Sequence, residues 1–184
     1  MKADHRSLST PAQPAPVDPF VRPAIHRDLD AILAVQRAAF GREQEADLVA
    51  ALLSSGHAVC NLVALLDQQV VGHVLFTLVQ APEGARLVGL APLAVAPSAQ
   101  QNGIGAALVF YAWPMLRDAG FDGVVVVGDP AYYARFGFVP ASQWGLSCAQ
   151  ALKPAHFLAC PLAPDALARI QPGAVTYAAE FDGV

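Results

Sequence analysis

Between Leu87 and Leu116 the chain carries no charged side chain. A run of that length folds either as a membrane span or as buried core. A spanning helix needs about 20 predominantly apolar residues in a row. This run is interrupted by Pro92, Pro97, Gln100, Gln101, Asn102, Gly103 and Gly105. It therefore reads as two apolar pieces joined by a polar turn inside a soluble domain, with no membrane partner. Composition agrees. Hydrophobic residues make up 55% of 184 and charged residues 14%, against roughly 25% charged in ordinary soluble domains. Mean hydropathy is +0.42. Such a chain has the apolar side chains for a large core and the length of one domain, which excludes bulk disorder.

Residues 1–19 hold Pro11, Pro14, Pro16 and Pro19 among Ala, Gln and Ser, the composition of a flexible tail. No apolar stretch follows the charged start, so no signal peptide is expected and the protein is assigned to the cytoplasm. The single domain spans 20–184. Its patterning predicts a strand over 20–25 and a helix capped by Asp28 that carries Leu29, Ile32, Leu33, Gln36 and Phe40 and ends at Gly41. A second helix is expected over 42–53. Strands 58–66 and 70–80 flank the turn Asp67-Gln68-Gln69 as a hairpin, and 86–95 adds a third. Pro92 interrupts that strand; lacking an N–H, it marks an edge, a bulge or lost pairing. A helix over 103–119, a β-branched strand over 123–127 (GVVVV), a short helix over 130–135, and strands at 138–139 and 155–160 complete a mixed α/β order.

The informative turn joins the strand ending at Val95 to the helix after Gly103. A helix N-terminus leaves N–H groups unpaired and carries partial positive charge. Glycines let an anion approach the backbone closely. Three phosphate-binding patterns compete with a plain tight turn. A Walker A loop fails for want of a Gly-Lys pair. The dinucleotide fingerprint lacks its third glycine, with Leu108 in that place, and Asp122 precedes rather than follows a strand. The pattern Q/R-x-x-G-x-G/A fits at Gln100, Gly103 and Gly105.

This loop resembles the pyrophosphate loop of the GNAT superfamily of acyl-CoA-dependent N-acetyltransferases. A second motif strengthens the likeness. Gly128-Asp-Pro-Ala-Tyr-Tyr-Ala-Arg-Phe-Gly-Phe138 contains the family's Y-x-x-x-G-F at Tyr133, Gly137 and Phe138. The fuller string GDPxYYxRFGF is similar to one bacterial subgroup, as are Ala39–Arg42 with Glu45, Val71–His73 and Phe181-Asp182. The likeness covers about residues 20–184. It implies a mostly antiparallel central sheet with helices on both faces, and a splayed strand pair that binds CoA. Acetyl-CoA is the implied cosubstrate. Leu93, Ala94 and Val95 are the implied pantetheine-pairing positions, and Gln100, Gln101, Asn102, Gly103, Ile104, Gly105 and Ala106 the phosphate loop. Pro92 is consistent with lost pairing beside them.

The implied reaction is acyl transfer from a thioester to an amine by direct attack in a ternary complex. A backbone N–H near Leu93 or Ala94 would meet the developing oxyanion. Tyr133, a phenol protonated at neutral pH, is the candidate proton donor to the departing thiolate, against a packing role only. Tyr132 and Phe136 read as packing residues, and Trp113 and Trp144 as core or pocket wall. Two candidates compete for the general base. His73 shares a face with Val71, Leu75 and Val79 by period-two alternation; it reads either as a base or acceptor ligand or as a satisfied core histidine. Glu45 reads either as a base near the acceptor site or as a solvated helix carboxylate. A water-relayed route needs neither. Arg135 either contacts a phosphate or closes a surface pair, and Asp129 caps the short helix.

Cys60, Cys148 and Cys160 are widely spaced without a CxxC, and His26, His57 and His156 show no ligand spacing. Free thiols and no metal site are expected. The balance of 11 basic and 15 acidic residues gives −4, with no basic stripe and no expected nucleic-acid partner. The acceptor is an amine of a small molecule or peptide, unspecified by the motifs. The high hydropathy permits a homodimer. A catalytically silent acyl-CoA-binding module and a nucleotide-binding regulatory domain are the competing functions.

Overall fold

A computed structural model describes residues 18–182. The predicted tail therefore lies outside the described residues except for Asp18 and Pro19, which take no regular structure. Strands β1 (Phe20–Pro23), β2 (Ala58–Leu66), β3 (Gln69–Leu78), β4 (Leu87–Val95), β5 (Gly123–Val127), β6 (Val139–Pro140) and β8 (Phe157–Pro161) form one sheet in the order β1-β2-β3-β4-β5-β8-β6. Every neighbouring pair is antiparallel except β4 and β5. The β2–β3 turn holds Asp67 and Gln68 at φ 47° and 64°, the double left-handed geometry that matches hairpin twist.

Helices α1 (Leu29–Phe40), α2 (Gln44–Ser54) and α3 (Ile104–Asp118) cover the sheet, and α4 (Pro130–Tyr133) follows β5. One face is closed by Ile104, Leu108, Ala112 and Leu116 of α3 against Leu62, Val74, Phe76, Val88, Leu90 and Val124. The other is closed by Ile32 and Val49 against Val63, and by Leu48 and Leu52 against Leu75. Helices thus lie on both faces of a mostly antiparallel sheet, as the resemblance implies.

Three local expectations change. Asp28 ends a 3-10 turn and holds the N-cap position of α1, but its side chain makes no capping bond to that helix. Its carboxylate accepts from the Ile25 N–H (2.8 Å) and from both ends of the Arg22 guanidinium fork (2.6 and 2.9 Å). That pairing, first of all the Arg22 hydrogen bond, pulls its pKa down to about 2. The alternation along β3 is broken by a register slip opposite Ala64 and Leu65. Val71 consequently packs toward α3, whereas Leu75 packs toward α2. Finally, a small parallel pair, β7 (Leu146–Cys148) with β9 (Gly173–Val175), was not legible as strands.

The β4 strand positions the site. Val74 faces Leu93 while Phe76 faces Leu90, so one residue of β3, Leu75, opposes two of β4, Ala91 and Pro92. The extra residue falls at Ala91-Pro92, which is the bulge that the proline foretells. Pairing of β4 with β5 stops at Gly89–Val125, although β4 runs on to Val95 and β5 to Val127. The two strands part, and a cleft opens between them.

Candidate active site

The Ala96 N–H bonds to the Val71 carbonyl on β3 (2.8 Å). Alternation then turns the backbone groups of Ala94 toward β3 and those of Leu93 and Val95 toward the gap. Of the two expected oxyanion donors, Leu93 is the one whose N–H faces open space. The chain next makes a 3-10 turn over Pro97–Ala99 and two left-handed residues, Gln101 (φ 64°) and Gly103 (φ 78°). Gly103 is the N-cap of α3, and no side chain caps it. The Ala107 N–H is the first to find a helical carbonyl, that of Gly103 (2.9 Å). The N–H groups of Ile104, Gly105 and Ala106 are left as donors at the positive end of a 15-residue helix.

Those donors border a cleft of 510 Å³ lined by Leu93, Ala94, Val95, Gln100, Gln101, Gly103, Ile104, Gly105 and Ala106. The structure thus brings together nine of the ten expected cofactor positions. Asn102 is the exception: its amide turns inward to the carbonyls of Ala99 (3.3 Å) and Gln100 (3.2 Å), tying the loop. Gln100 also has a structural bond, from Nε2 to the Val95 carbonyl (3.0 Å). Phe40, Tyr132 and Arg135 close the cleft. A Cβ on Gly105 would lie 2.8 Å from the Tyr132 hydroxyl oxygen, so glycine is what lets Tyr132 reach over the loop. Tyr132 is therefore a cleft residue and not packing alone, a role that no feature of the YY dipeptide separates in advance. The Arg135 guanidinium stacks on its ring at 4.7 Å and donates to its carbonyl (3.0 Å). Asp129 caps α4 as expected, accepting from the Ala131 N–H at 3.0 Å.

A second cavity of 350 Å³ adjoins the first, with Phe40 and Leu93 in the lining of both. It is lined further by Glu45, Leu90, Pro92, Tyr133, Tyr177 and Phe181. Tyr133 packs edge-on against Tyr132 (5.1 Å) and Phe138 (5.5 Å). Burial, then the neighbouring Tyr132, raises its pKa above that of a free phenol. Glu45 is 5% exposed. The Arg42 Nε donates to both its oxygens (3.0 Å each), and Nη2 donates to Oε1. It is a buried, paired carboxylate and not a solvated one. Sequence reasoning missed Tyr177, which returns from the far end of the chain with no motif around it.

His73 is placed elsewhere. It is fully buried and lines neither cavity. Gln36 Nε2 donates to Nδ1 (2.7 Å), and Nε2 donates to Asn61 Oδ1 (2.9 Å). Both ring nitrogens are satisfied by a neutral imidazole, and burial pushes the pKa down to about 3. The expectation of a base or acceptor ligand at this position does not fit that placement. A stability effect follows instead. An unfolded histidine takes up a proton near pH 6.5; the folded one resists until about 3. The unfolded chain binds more protons between these values, so folding stability falls as pH drops below ~6.5, by up to ~1.4 kcal/mol per pH unit. Urea titrations from pH 7 to 5 are expected to show this slope, and His73→Gln to flatten it.

Among the described residues no group of His, Cys, Asp and Glu is arranged to hold a metal ion, and no helix is long and apolar enough to cross a membrane. Residues 27–138 match the acetyltransferase (GNAT) family. The chain is 37% identical over 165 residues to YhbS of Escherichia coli K12, named an uncharacterized N-acetyltransferase, across 89% of this chain and 98% of that protein. YjhQ of the same strain, also named an uncharacterized N-acetyltransferase, is 38% identical over 120 residues, 62% of this chain and 66% of YjhQ. The crystal structure of Escherichia coli YhbS in complex with CoA superposes with a TM-score of 0.84 at 36% identity, covering 92% of this chain and 94% of that one. A GNAT family acetyltransferase from Brucella melitensis in complex with acetyl-CoA gives a TM-score of 0.74 at 32% identity, covering 90% and 99%.

Proposed function

The chain belongs to the acetyltransferase (GNAT) family of N-acetyltransferases, and on that premise we propose that it moves an acetyl group from acetyl-CoA to an amine by direct attack in a ternary complex. One observation carries the reading: the end of β4, unpaired on its β5 side, and the uncapped N-terminus of α3 border one cleft, and that cleft shares Leu93 with a second cavity. The chemistry of the residues fits the cosubstrate. The N–H groups of Ile104, Gly105 and Ala106 would hold the pyrophosphate, as helix N-termini hold anions, with Arg135 beside them. The outward-facing backbone of Leu93 and Val95 would pair with the pantetheine arm as an added strand does. Acetyl-CoA supplies an activated acyl group and a thiolate leaving group.

The protein's own groups do the rest. The Leu93 N–H donates to the carbonyl oxygen as negative charge grows on it. Tyr133, protonated at neutral pH, gives its proton to the sulfur as the C–S bond breaks; the acylated nitrogen sheds its extra proton to water, and water reprotonates the phenolate. Glu45 meets the acceptor nitrogen. An amine with a pKa near 10 is mostly protonated at neutral pH, so it sheds a proton to water before it attacks. His73 takes no part: it is fully buried, lines neither cavity, and both its ring nitrogens are taken by Gln36 and Asn61.

Thermal unfolding in the presence of acetyl-CoA, CoA and NAD tests the reading. Ligand at about 100 times its Kd adds roughly 2.7 kcal/mol to stability. A shift with both CoA species and none with NAD is expected. No shift with either CoA species would overturn the assignment and return the Gln100–Gly105 loop to a structural turn.

A further inference from the structure

We propose that the acceptor is a small monoamine with one compact apolar or aromatic body, its nitrogen held between the Glu45 carboxylate and the Tyr177 hydroxyl; the inference rests on the acetyltransferase reading above. The cavity that would receive it, at 350 Å³, lies at the small end of the ~300–1,000 Å³ usual for small-molecule sites. Phe40, Leu48, Leu90 and Phe181 give it apolar walls.

Two polar residues of that lining carry the proposal. Tyr177 is 5% exposed, and its buried hydroxyl has no hydrogen-bond partner among the described residues. An unmatched buried hydroxyl destabilises the fold; a ligand that supplies the missing partner removes that cost. The ring cannot swing away to find another partner. It stacks edge-on with Phe181 at 4.9 Å, and its other edge rests on Gly89, where a Cβ would collide with it. Burial, with Cys148 and Tyr133 nearby, keeps the hydroxyl protonated, and a neutral phenol oxygen accepts a hydrogen bond from an ammonium.

The second group is Glu45. A carboxylate offers about four acceptor positions. Arg42 fills two on Oε1 and one on Oε2, which leaves one on Oε2 for a single ammonium N–H. The lining holds no other anion, and Arg42 matches the charge of Glu45. Within this lining a second ammonium on the acceptor would find no carboxylate and would meet the Arg42 guanidinium instead; the next carboxylates, Asp182 and the His57-paired Glu180, line a neighbouring cavity beyond Tyr177 and Gln150. Polyamines are disfavoured on that ground, and apolar monoamines are retained.

The test is steady-state CoA release at saturating acetyl-CoA with 2-phenylethylamine, isoamylamine, spermidine and an N-terminal tetrapeptide as acceptors, alongside calorimetric titration with CoA. The two monoamines are expected to exceed spermidine and the peptide at least tenfold in kcat/KM. Tyr177→Phe and Glu45→Gln are each expected to raise KM for 2-phenylethylamine at least tenfold and leave CoA affinity within twofold. Preference for spermidine or the peptide would overturn the acceptor class, as would an unmoved KM in both variants, and CoA binding by the wild-type protein would leave the acetyltransferase reading standing. Absence of CoA binding by the wild-type protein would overturn both.

Discussion

Tyr133→Phe is expected to lower kcat by about 10²–10⁴-fold, the usual contribution of a positioned acid, without changing CoA affinity. The substitution removes one oxygen and keeps the ring, and the ring is what packs against Tyr132, Phe136 and Phe138. The fold and the cleft therefore persist, and any loss belongs to the proton. A free phenol has a pKa near 10, and burial raises that of Tyr133 further. The donor form is thus complete throughout neutral pH, and kcat should show no fall assigned to this group up to pH 9. Stopped-flow or steady-state CoA release, set beside calorimetric CoA titration, checks both parts. Equal turnover in the variant would make Tyr133 a wall residue. A silent acyl-CoA-binding protein would bind CoA equally in both forms and turn over in neither.

Gly105→Asp is expected to weaken CoA binding at least a hundredfold, ~2.7 kcal/mol. Gly105 is the second residue of α3, where an acidic side chain favours the helix by its dipole. Helix stability consequently offers no reason for a loss. The new carboxylate would stand where the pyrophosphate is proposed to lie, and its Cβ would push the Tyr132 hydroxyl off the loop. A melting temperature within a few degrees of wild type, together with lost CoA affinity, is the expected pair of results. Unchanged CoA affinity would move the phosphate site away from α3.

Much of the scaffold was legible because it rests on local patterns. Two apolar runs either side of a polar turn marked β2 and β3, the β-branched run marked β5, and a proline without an N–H marked irregular pairing in β4. The glycines at 103 and 105 marked the turn because each answers a local need, a left-handed φ at one and a close approach at the other. Asp28 was misread for a related reason. A carboxylate before an apolar helix is the pattern of a cap, yet the Arg22 fork competes for the same oxygens and comes from β1.

His73 shows where local reading ends. Its place on an apolar strand fits a buried imidazole and a catalytic one equally well. Gln36 on α1 and Asn61 on β2 decide between them, by satisfying both nitrogens. The second cavity is a stronger case, since its wall is gathered from residues 40–48, 90–93, 127–133, 150 and 177–181. None of these segments carries a period or spacing that announces its partners.

The sequence by itself determined most of the elements, the glycine turn ahead of α3 and the place of the Y-x-x-x-G-F motif, since backbone preference and glycine geometry act over a few residues. The tertiary structure alone decided that Glu45 and Tyr177 face one cavity and that His73 faces none. Burial and hydrogen-bond satisfaction are set by side chains that meet across the sheet, and those meetings depend on register and packing rather than on any neighbour in the chain.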